Sequence, residues 1–420
     1  MRMEVSWTYD IHETSISVFL GLEGVCSMIK VGVIAVCDFE SLPVGGEVSL
    51  LNRLCSVDNE SLGMEYDLIG MSFSDEEVGR WGEKRINGRP YRWLPVSSYR
   101  KNIPLRVLMA RGVKRFVHLL ENRSYDVLYI HSPELYLPVA HMGVPVVYHV
   151  HGDPYYTVRM SRFPLLRMGP FVRYYDRLIE SALRGSESVI WAARRSMCEF
   201  LDKEVFLKDV VLPKVEVIHS CYGEKMRLAS GDVKEKFSYR FVTVGRLAKV
   251  KHVDFLIRVF ARIAEKHPES VFYICGDGEE REFLEALSDE LGCSDEVVFL
   301  GALDNESLGR CLNESDIFLF ASESEAMSLV VLESLSCGVP VVSTDVGDLS
   351  EVVLSEETGM LLPDRDENEF VLAVERLKVC IDNYDVNRKC RKIAEKYSPN
   401  EMASSIARKL NEVCKKESVR

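Results

Sequence analysis

From Arg240 to Ser343 short apolar runs alternate with longer amphipathic stretches, and this alternation does most to restrict the folds open to the chain. The runs Arg240–Val244, Val271–Cys275, 297–300, 316–320 and 340–343 have strand length and little polar alternation, the pattern of strands buried on both faces. Between them, 253–265, 280–291 and 305–312 read as helices, and another begins near Glu367. Strand and helix in regular succession predict a parallel sheet covered on both sides. The first half repeats the theme with strands at 29–37, 127–131 and 144–151. A chain of 420 residues exceeds the usual size of one core, so the pattern predicts an α/β protein of two Rossmann-like, doubly wound domains. Such sheets bind ligands at the carboxyl ends of their strands, which places the site in a cleft between the domains. We expect the first domain at 28–225, a linker around 223–236, the second domain at 226–398, and a segment at 399–420 whose amphipathic helix returns to the first domain. Because the strand pattern starts directly after Met28, residues 1–27 read as an upstream extension with no role in the core.

The net charge of -13 argues against a general nucleic-acid binder, since counterion release needs clustered Lys and Arg. The charge is unevenly spread. No acid lies between Tyr91 and Leu120, where Arg92, Arg100, Lys101, Arg106, Arg111, Lys114 and Arg115 occur. None lies between Pro154 and Tyr175, where Arg159, Arg162, Arg167 and Arg173 are interleaved with aromatic and aliphatic side chains such as Tyr156. These tracts suit a surface touching anionic lipid, or equally the solvated faces of amphipathic core helices. Twelve cysteines without C-x-x-C or zinc-like spacing read as reduced core residues. No apolar run reaches the roughly 18 residues of a membrane span, and no signal-peptide pattern opens the chain. The expectation is a cytoplasmic protein, with peripheral contact on the inner face of the membrane as one option.

Within 322–340, SESEAMSLVVLESLSCGVP, seven residues separate Glu325 from Glu333. Eight positions along a helix is a little over two turns, so both carboxylates are expected to face one cleft. A carboxylate accepts hydrogen bonds in pairs and suits vicinal hydroxyls, of a hexose at Glu325 and a ribose at Glu333. First-turn amides near Ser328 and Leu329 are donors for a diphosphate. The alternative is that Glu333 is an ordinary exposed helix residue. Arg246 stands just past a strand and Lys251 five residues on, two cations suited to a diphosphate or else a solvated basic loop. Gly45 and Gly46 precede a helix, where backbone can approach a ligand. His149 and His151 share a strand face, as packing or as a metal site, and an HGD turn follows. Asp364-Arg365-Asp366 has the form of a divalent-metal motif, but it sits between Pro363 and a helix, where Asp is a favoured N-cap.

In order and spacing these elements resemble the family 4 retaining glycosyltransferases of GT-B fold. The matches are GRLxxxK at 245–251, GDG at 276–278, the E-x7-E pair, PVGGE at 43–47, His151-Gly152 and CGVPVV at 337–342. The resemblance runs from about Met28 to the C-terminal helix. It implies that Arg246 and Lys251 bind the donor diphosphate, Glu333 the ribose and Glu325 the transferred sugar. Gly46 would lie against the phosphate from the opposite domain, and His151 near the reacting centre, in sugar positioning or acceptor-side chemistry. The reaction implied is retaining transfer of a hexosyl-type sugar from a nucleoside diphosphate sugar to a hydroxyl acceptor. A UDP-sugar is the expected donor, and a glycan, a lipid-linked glycan or a small molecule the acceptor. No cofactor is expected, and with Arg246 and Lys251 supplying positive charge, no metal. The chain departs from the family in four places. Residues 325–329 read EAMSL for EGFGL, Ile218-His219-Ser220-Cys221 replaces an asparagine-glycine element, and His252 and Asp348 each stand for a glycine. Two other readings stay open: an epimerase or hydrolase of nucleotide sugars on the same scaffold, and an inactive nucleotide-sugar-binding protein.

Overall fold

The computed structural model describes residues 28–42, 46–155, 159, 163–223, 239–383 and 385–417. The expectations for 1–27, for Gly45, for Tyr156 and Arg162, and for most of the linker lie outside them. The first half contains β1 Ile29–Ile34, β2 Met64–Ser72, β3 Gly82–Ile86, β4 Arg89–Ser98, β5 Val127–Ile130, β6 Val146–Val150, β7 Ser188–Trp191 and β8 Val215–Val217. These form one sheet in the order β3-β4-β2-β1-β5-β6-β7-β8. All neighbours are parallel except β3, which folds back on β4 through Asn87 and Gly88, both at positive φ as a tight hairpin requires. The basic tract from Tyr91 is therefore part strand β4 and part the helix Leu105–Glu121, not helix throughout.

The second half contains β9 Arg240–Val244, β10 Val271–Cys275, β11 Val297–Gly301, β12 Ile317–Phe320, β13 Val341–Thr344 and β14 Gly359–Leu362. Its all-parallel sheet has the order β11-β10-β9-β12-β13-β14. Strands β12 and β13 are buried at every residue, which is why their sequences show no alternation. The fold is thus α/β with two Rossmann-like domains. Each sheet has a switch point, between β1 and β5 and between β9 and β12, where the loops leaving adjacent strands diverge and open a crevice.

Two structures tie the domains together. Helix Pro399–Glu417 lays Met402, Ala403, Ile406, Ala407, Leu410 and Val413 into the first-domain core beside Leu50 and Leu54. The spacing of these residues is one helical face, and each fully buried Leu- or Ile-sized side chain contributes about 1.5–3 kcal/mol. The second tie is Asp348. Its carboxylate accepts from the backbone N–H of Arg194 and, at 2.8 Å, of Arg195, in the first turn of helix Arg194–Lys203. That helix has no side-chain cap of its own, so a carboxylate from the other domain satisfies its first donors and its positive end. This gives a structural reason for an aspartate at 348 in place of a second glycine.

His219 joins the same contact, with Nδ1 2.9 Å from the Ala192 carbonyl and Nε2 2.9 Å from Glu351 Oε2. Burial alone would push the imidazole down. The hydrogen bonds to Glu351 and Ala192 and the charges of Glu351 and Asp348 outweigh it and hold His219 above its ordinary value. In return the bond from His219 holds Glu351 below its ordinary value. The folded state therefore binds this proton more tightly than the unfolded chain. The His219 contribution is complete below the ordinary imidazole range and is lost as pH rises through the raised value. The Glu351 contribution is lost as pH falls through its lowered one. As pH rises above the ordinary imidazole value of about 6.5, the melting temperature of the wild type is expected to fall relative to that of His219→Gln. Parallel melting curves for the two proteins would contradict this.

Candidate active site

At the switch point of the second sheet, the loop after β9 carries Arg246 and Lys251, and the loop after β12 carries Glu325. The first loop is fixed by its neighbours. Leu247 N–H donates to the Asp277 carbonyl at 3.0 Å and Glu323 N–H to the Val250 carbonyl at 2.8 Å. A Cβ at Gly276 would lie 1.8 Å from the Gly245 carbonyl oxygen, so the GDG turn can press against the arginine loop only as glycine. Arg246 is exposed and forms no ion pair among the described residues. Lys251 Nζ pairs with the Glu325 carboxylate and lies 5.8 Å from the Phe320 ring centroid. His252, at φ 49°, holds a left-handed conformation at the start of helix Val253–Ala264, a conformation that glycine adopts without strain.

The expectation that Glu325 and Glu333 share one helix is corrected. The helix is Leu329–Ser336, with Ser328 as its extended N-cap, so Glu325 belongs to the preceding loop. Met327 is buried, and Asp348 N–H holds the Ala326 carbonyl at 2.9 Å, which keeps 325–327 out of the helix. Gly347, at φ 54°, allows this approach: a Cβ there would lie 2.1 Å from the Ala326 oxygen. The first-turn amides from Leu329 onward have no partners within the helix and carry its positive end. Glu333 is not an exposed helix residue, being only 4% exposed. Its Oε1 accepts from Arg53 Nη2 of the first domain at 2.5 Å. Burial raises the Glu333 carboxyl above its ordinary range, and Arg53 opposes that shift.

On the first-domain side Gly46 opens helix Gly46–Leu54, exposed and with space around it for a side chain. His151 follows β6, half-buried, with Nε2 2.8 Å from His131 Nδ1 and its ring stacked on His149 at 4.3 Å. Burial, and then the charge of Arg106, pushes His151 down to about 3. Burial and the neighbouring imidazoles push His131 and His149 well below their ordinary value as well. These shifts favour the neutral form of all three rings near pH 7, which suits them to orient a hydroxyl. Their nitrogens lie within 4.8 Å of one another, a donor set that suits a borderline divalent cation. The second such group, His219, Asp348 and Glu351, is closed on itself by the interdomain contacts described above.

Several polar groups at this end of the first sheet had no role in the sequence reading. Arg106 Nη1 lies 3.2 Å from Tyr175 Oη and 3.5 Å from Glu134 Oε2. Glu47 is pushed up to about 7 by burial, against the charge of Arg106, and its buried Oε1 has no hydrogen-bond partner. Glu47 lies in the PVGGE motif and Arg106 in the acid-free tract, so both were visible as residues. Nothing in the sequence marked Arg53.

Sequence comparison now settles the family. The uncharacterized glycosyltransferase MJ1607 of Methanocaldococcus jannaschii is 33% identical over 364 residues, covering 81% of this chain and 88% of that protein. The chain belongs to the group 1 glycosyltransferases. The family's sequence model, "Glycosyl transferases group 1", matches residues 231–397, the second domain. Three other curated relatives span only 24% to 34% of their own length in the match. Among solved structures, sucrose-phosphate synthase from Thermosynechococcus elongatus superposes with a TM-score of 0.70 at 17% identity, over 92% of this chain and 99% of that one. Anabaena Alr3699/HepE in complex with UDP gives 0.65 at 17% identity, over 91% and 100%. At these identities the superpositions show the GT-B fold. In this glycosyltransferase the departures from family pattern at His252 and Asp348 thus have local structural accounts. With Ala326 and Ser328 in the loop before it, the helix starts at Leu329. No helix among the described residues is long and apolar enough to cross a membrane.

Proposed function

We propose that this glycosyltransferase moves a hexosyl-type sugar from a nucleoside diphosphate sugar, UDP-sugars foremost, to a hydroxyl acceptor with retention of anomeric configuration. The observation that carries the reading is convergence at one switch-point crevice. Arg246, Lys251 and the positive end of helix Leu329–Ser336 gather there, with Glu325 and the buried Glu333 beside them. The solved relative with UDP bound supports the choice of base. In the reaction the bond from the anomeric carbon to the diphosphate oxygen breaks and a bond to the acceptor oxygen forms on the same face. The acceptor proton passes to the departing diphosphate. Charge grows on that diphosphate, and the two cations and the helix amides are aimed at it. Glu333 binds the ribose, Glu325 the transferred sugar, Gly46 approaches the phosphate from the other domain, and neutral His151 orients the sugar.

We further propose that no metal ion is needed. The cationic groups supply the charge, and Asp366 of the D-x-D sequence is engaged as a helix cap, its Oδ1 accepting from Glu369 N–H at 3.0 Å. A thermal-shift screen of nucleotide sugars, followed by transfer assays with and without EDTA, tests both proposals. Stabilisation by a UDP-sugar and EDTA-resistant transfer are expected. Activity lost on chelation and restored by magnesium or manganese would overturn metal independence. Conversion of donor alone into a new sugar nucleotide would favour an epimerase. Tight nucleotide binding without turnover on any acceptor would favour a binding protein.

A further inference from the structure

A cavity of about 1020 Å³ begins at the carboxyl ends of β1 and β5, where Val36 and Glu134 line it. Two helices wall it. Leu105–Glu121 contributes Val107, Ala110, Arg111 and Lys114, and Gly169–Gly185 contributes Phe171, Tyr174, Tyr175 and Leu178. Both sets have the spacing i, i+3, i+4, i+7, so each helix turns one continuous stripe toward the cavity. The two ends differ in chemistry. At the sheet edge Glu47, Arg106 and Glu134 come together, and one buried oxygen each of Glu47 and Glu134 lacks a hydrogen-bond partner. At the mouth Leu137, Phe171 and Tyr174 are 50%, 47% and 59% exposed, and the adjoining Leu165 and Met168 are exposed too. Exposed apolar side chains gathered at a cavity mouth mark a binding surface. Between the ends stand Arg111 and Lys114, both exposed and without an ion pair among the described residues.

We propose that this cavity holds the acceptor and that the acceptor is a phospholipid whose head group carries the reacting hydroxyl. The proposal rests on the transferase reading above. The hydroxyl meets Glu47 and Arg106 beside His151, the phosphate meets Arg111 and Lys114, and the hydrocarbon lies between the two stripes and leaves past Phe171 and Tyr174. Arg111 and Lys114 are five and eight residues beyond Arg106, about 8 and 12 Å along the helix. From there the long, flexible Arg111 and Lys114 side chains can reach back toward a phosphate that one ring-sized polyol or sugar separates from the hydroxyl. A soluble acceptor has no use for the apolar stripes or the exposed mouth. A neutral lipid has none for two unpaired cations placed between them.

Binding is read without turnover, by flotation with phosphatidylcholine vesicles that do or do not contain phosphatidylinositol as a hydroxyl-rich anionic probe. Wild-type protein is expected to float with the phosphatidylinositol vesicles and to stay behind with phosphatidylcholine alone. Arg111→Glu with Lys114→Glu is expected to weaken flotation at least about tenfold, by reversing two charges at the phosphate. Ala110→Trp is expected to weaken it by filling the cavity while leaving the charge intact. Stabilisation by UDP serves as the folding control for both variants. Equal flotation on both vesicles, or indifference to both variants, would each overturn the proposal. If lipid binding behaves as expected but UDP never stabilises the wild type, the donor reading fails and the cavity assignment stands.

Discussion

Lys251→Ala is expected to lower kcat by about 10² to 10³ while melting close to the wild type. The size of the effect follows from where the charge is needed. Lys251 stands on the loop after β9, paired with Glu325 of the loop that precedes helix Leu329–Ser336, and in the proposed reaction the leaving diphosphate gains charge only as the glycosidic bond breaks. A preorganised cation in that position acts mainly on the transition state, so the loss should appear in kcat more than in KM. The small stability cost follows from the environment. The Lys251–Glu325 pair is 29% and 18% exposed at its side chains, and ion pairs within reach of water contribute little to folding. Because the two residues touch, Lys251→Ala with Glu325→Ala should fall short of the sum of the single losses. Transfer at near wild-type rate by Lys251→Ala, with donor saturating, would remove Lys251 from the site.

Arg53→Met carries the second large effect, and it falls on stability. Glu333 is 5% exposed at its side chain and Arg53 15%, and each comes from a different domain. Removing one partner leaves a buried carboxylate without its counter-charge, which typically costs about 3 kcal/mol. Part of that cost is avoided by protonation, since burial already raises this carboxyl and Arg53 is the group that restrains it. The loss should therefore grow as pH rises from the raised Glu333 range toward neutrality. Urea denaturation of the variant at several pH values checks this, and a change below about 0.5 kcal/mol at neutral pH would show the pair to be worth no more than a surface contact. UDP should stabilise the variant if ribose hydroxyls take up the freed carboxylate.

Much of the second domain was legible because its signals are local. Arg240–Val244 and Val271–Cys275 agree with the expected strands residue for residue, and the other expected elements there shift by only a few. Buried parallel strands are apolar on both faces, and that pattern needs no knowledge of the partner strand. The first domain was less legible. Strands β2, β3, β4, β7 and β8 were not among those expected: β4, RPYRWLPVSS, is polar at one end and buried at the other, β3 lies mostly exposed at the sheet edge, and β7 and β8 are only four and three residues long. The glutamate pair was misplaced for a similar reason. Spacing alone read Glu325 into the helix, whereas burial of Met327 and the hydrogen bond from Asp348 to Ala326 delay its start to Leu329.

By itself the sequence determined the α/β alternation, the second-domain strands and the order of motifs that carries the family. Each of those follows from residues a few positions apart, where backbone preference and hydrophobic period decide. Only the tertiary structure decided that Glu333 meets Arg53, 280 positions away, and that Asp348 caps a helix some 150 positions upstream. The same is true of the cavity, whose acidic and basic inner groups come from three separate segments. A buried charge is placed by whichever segment folding brings against it, and no periodicity within either segment records that meeting.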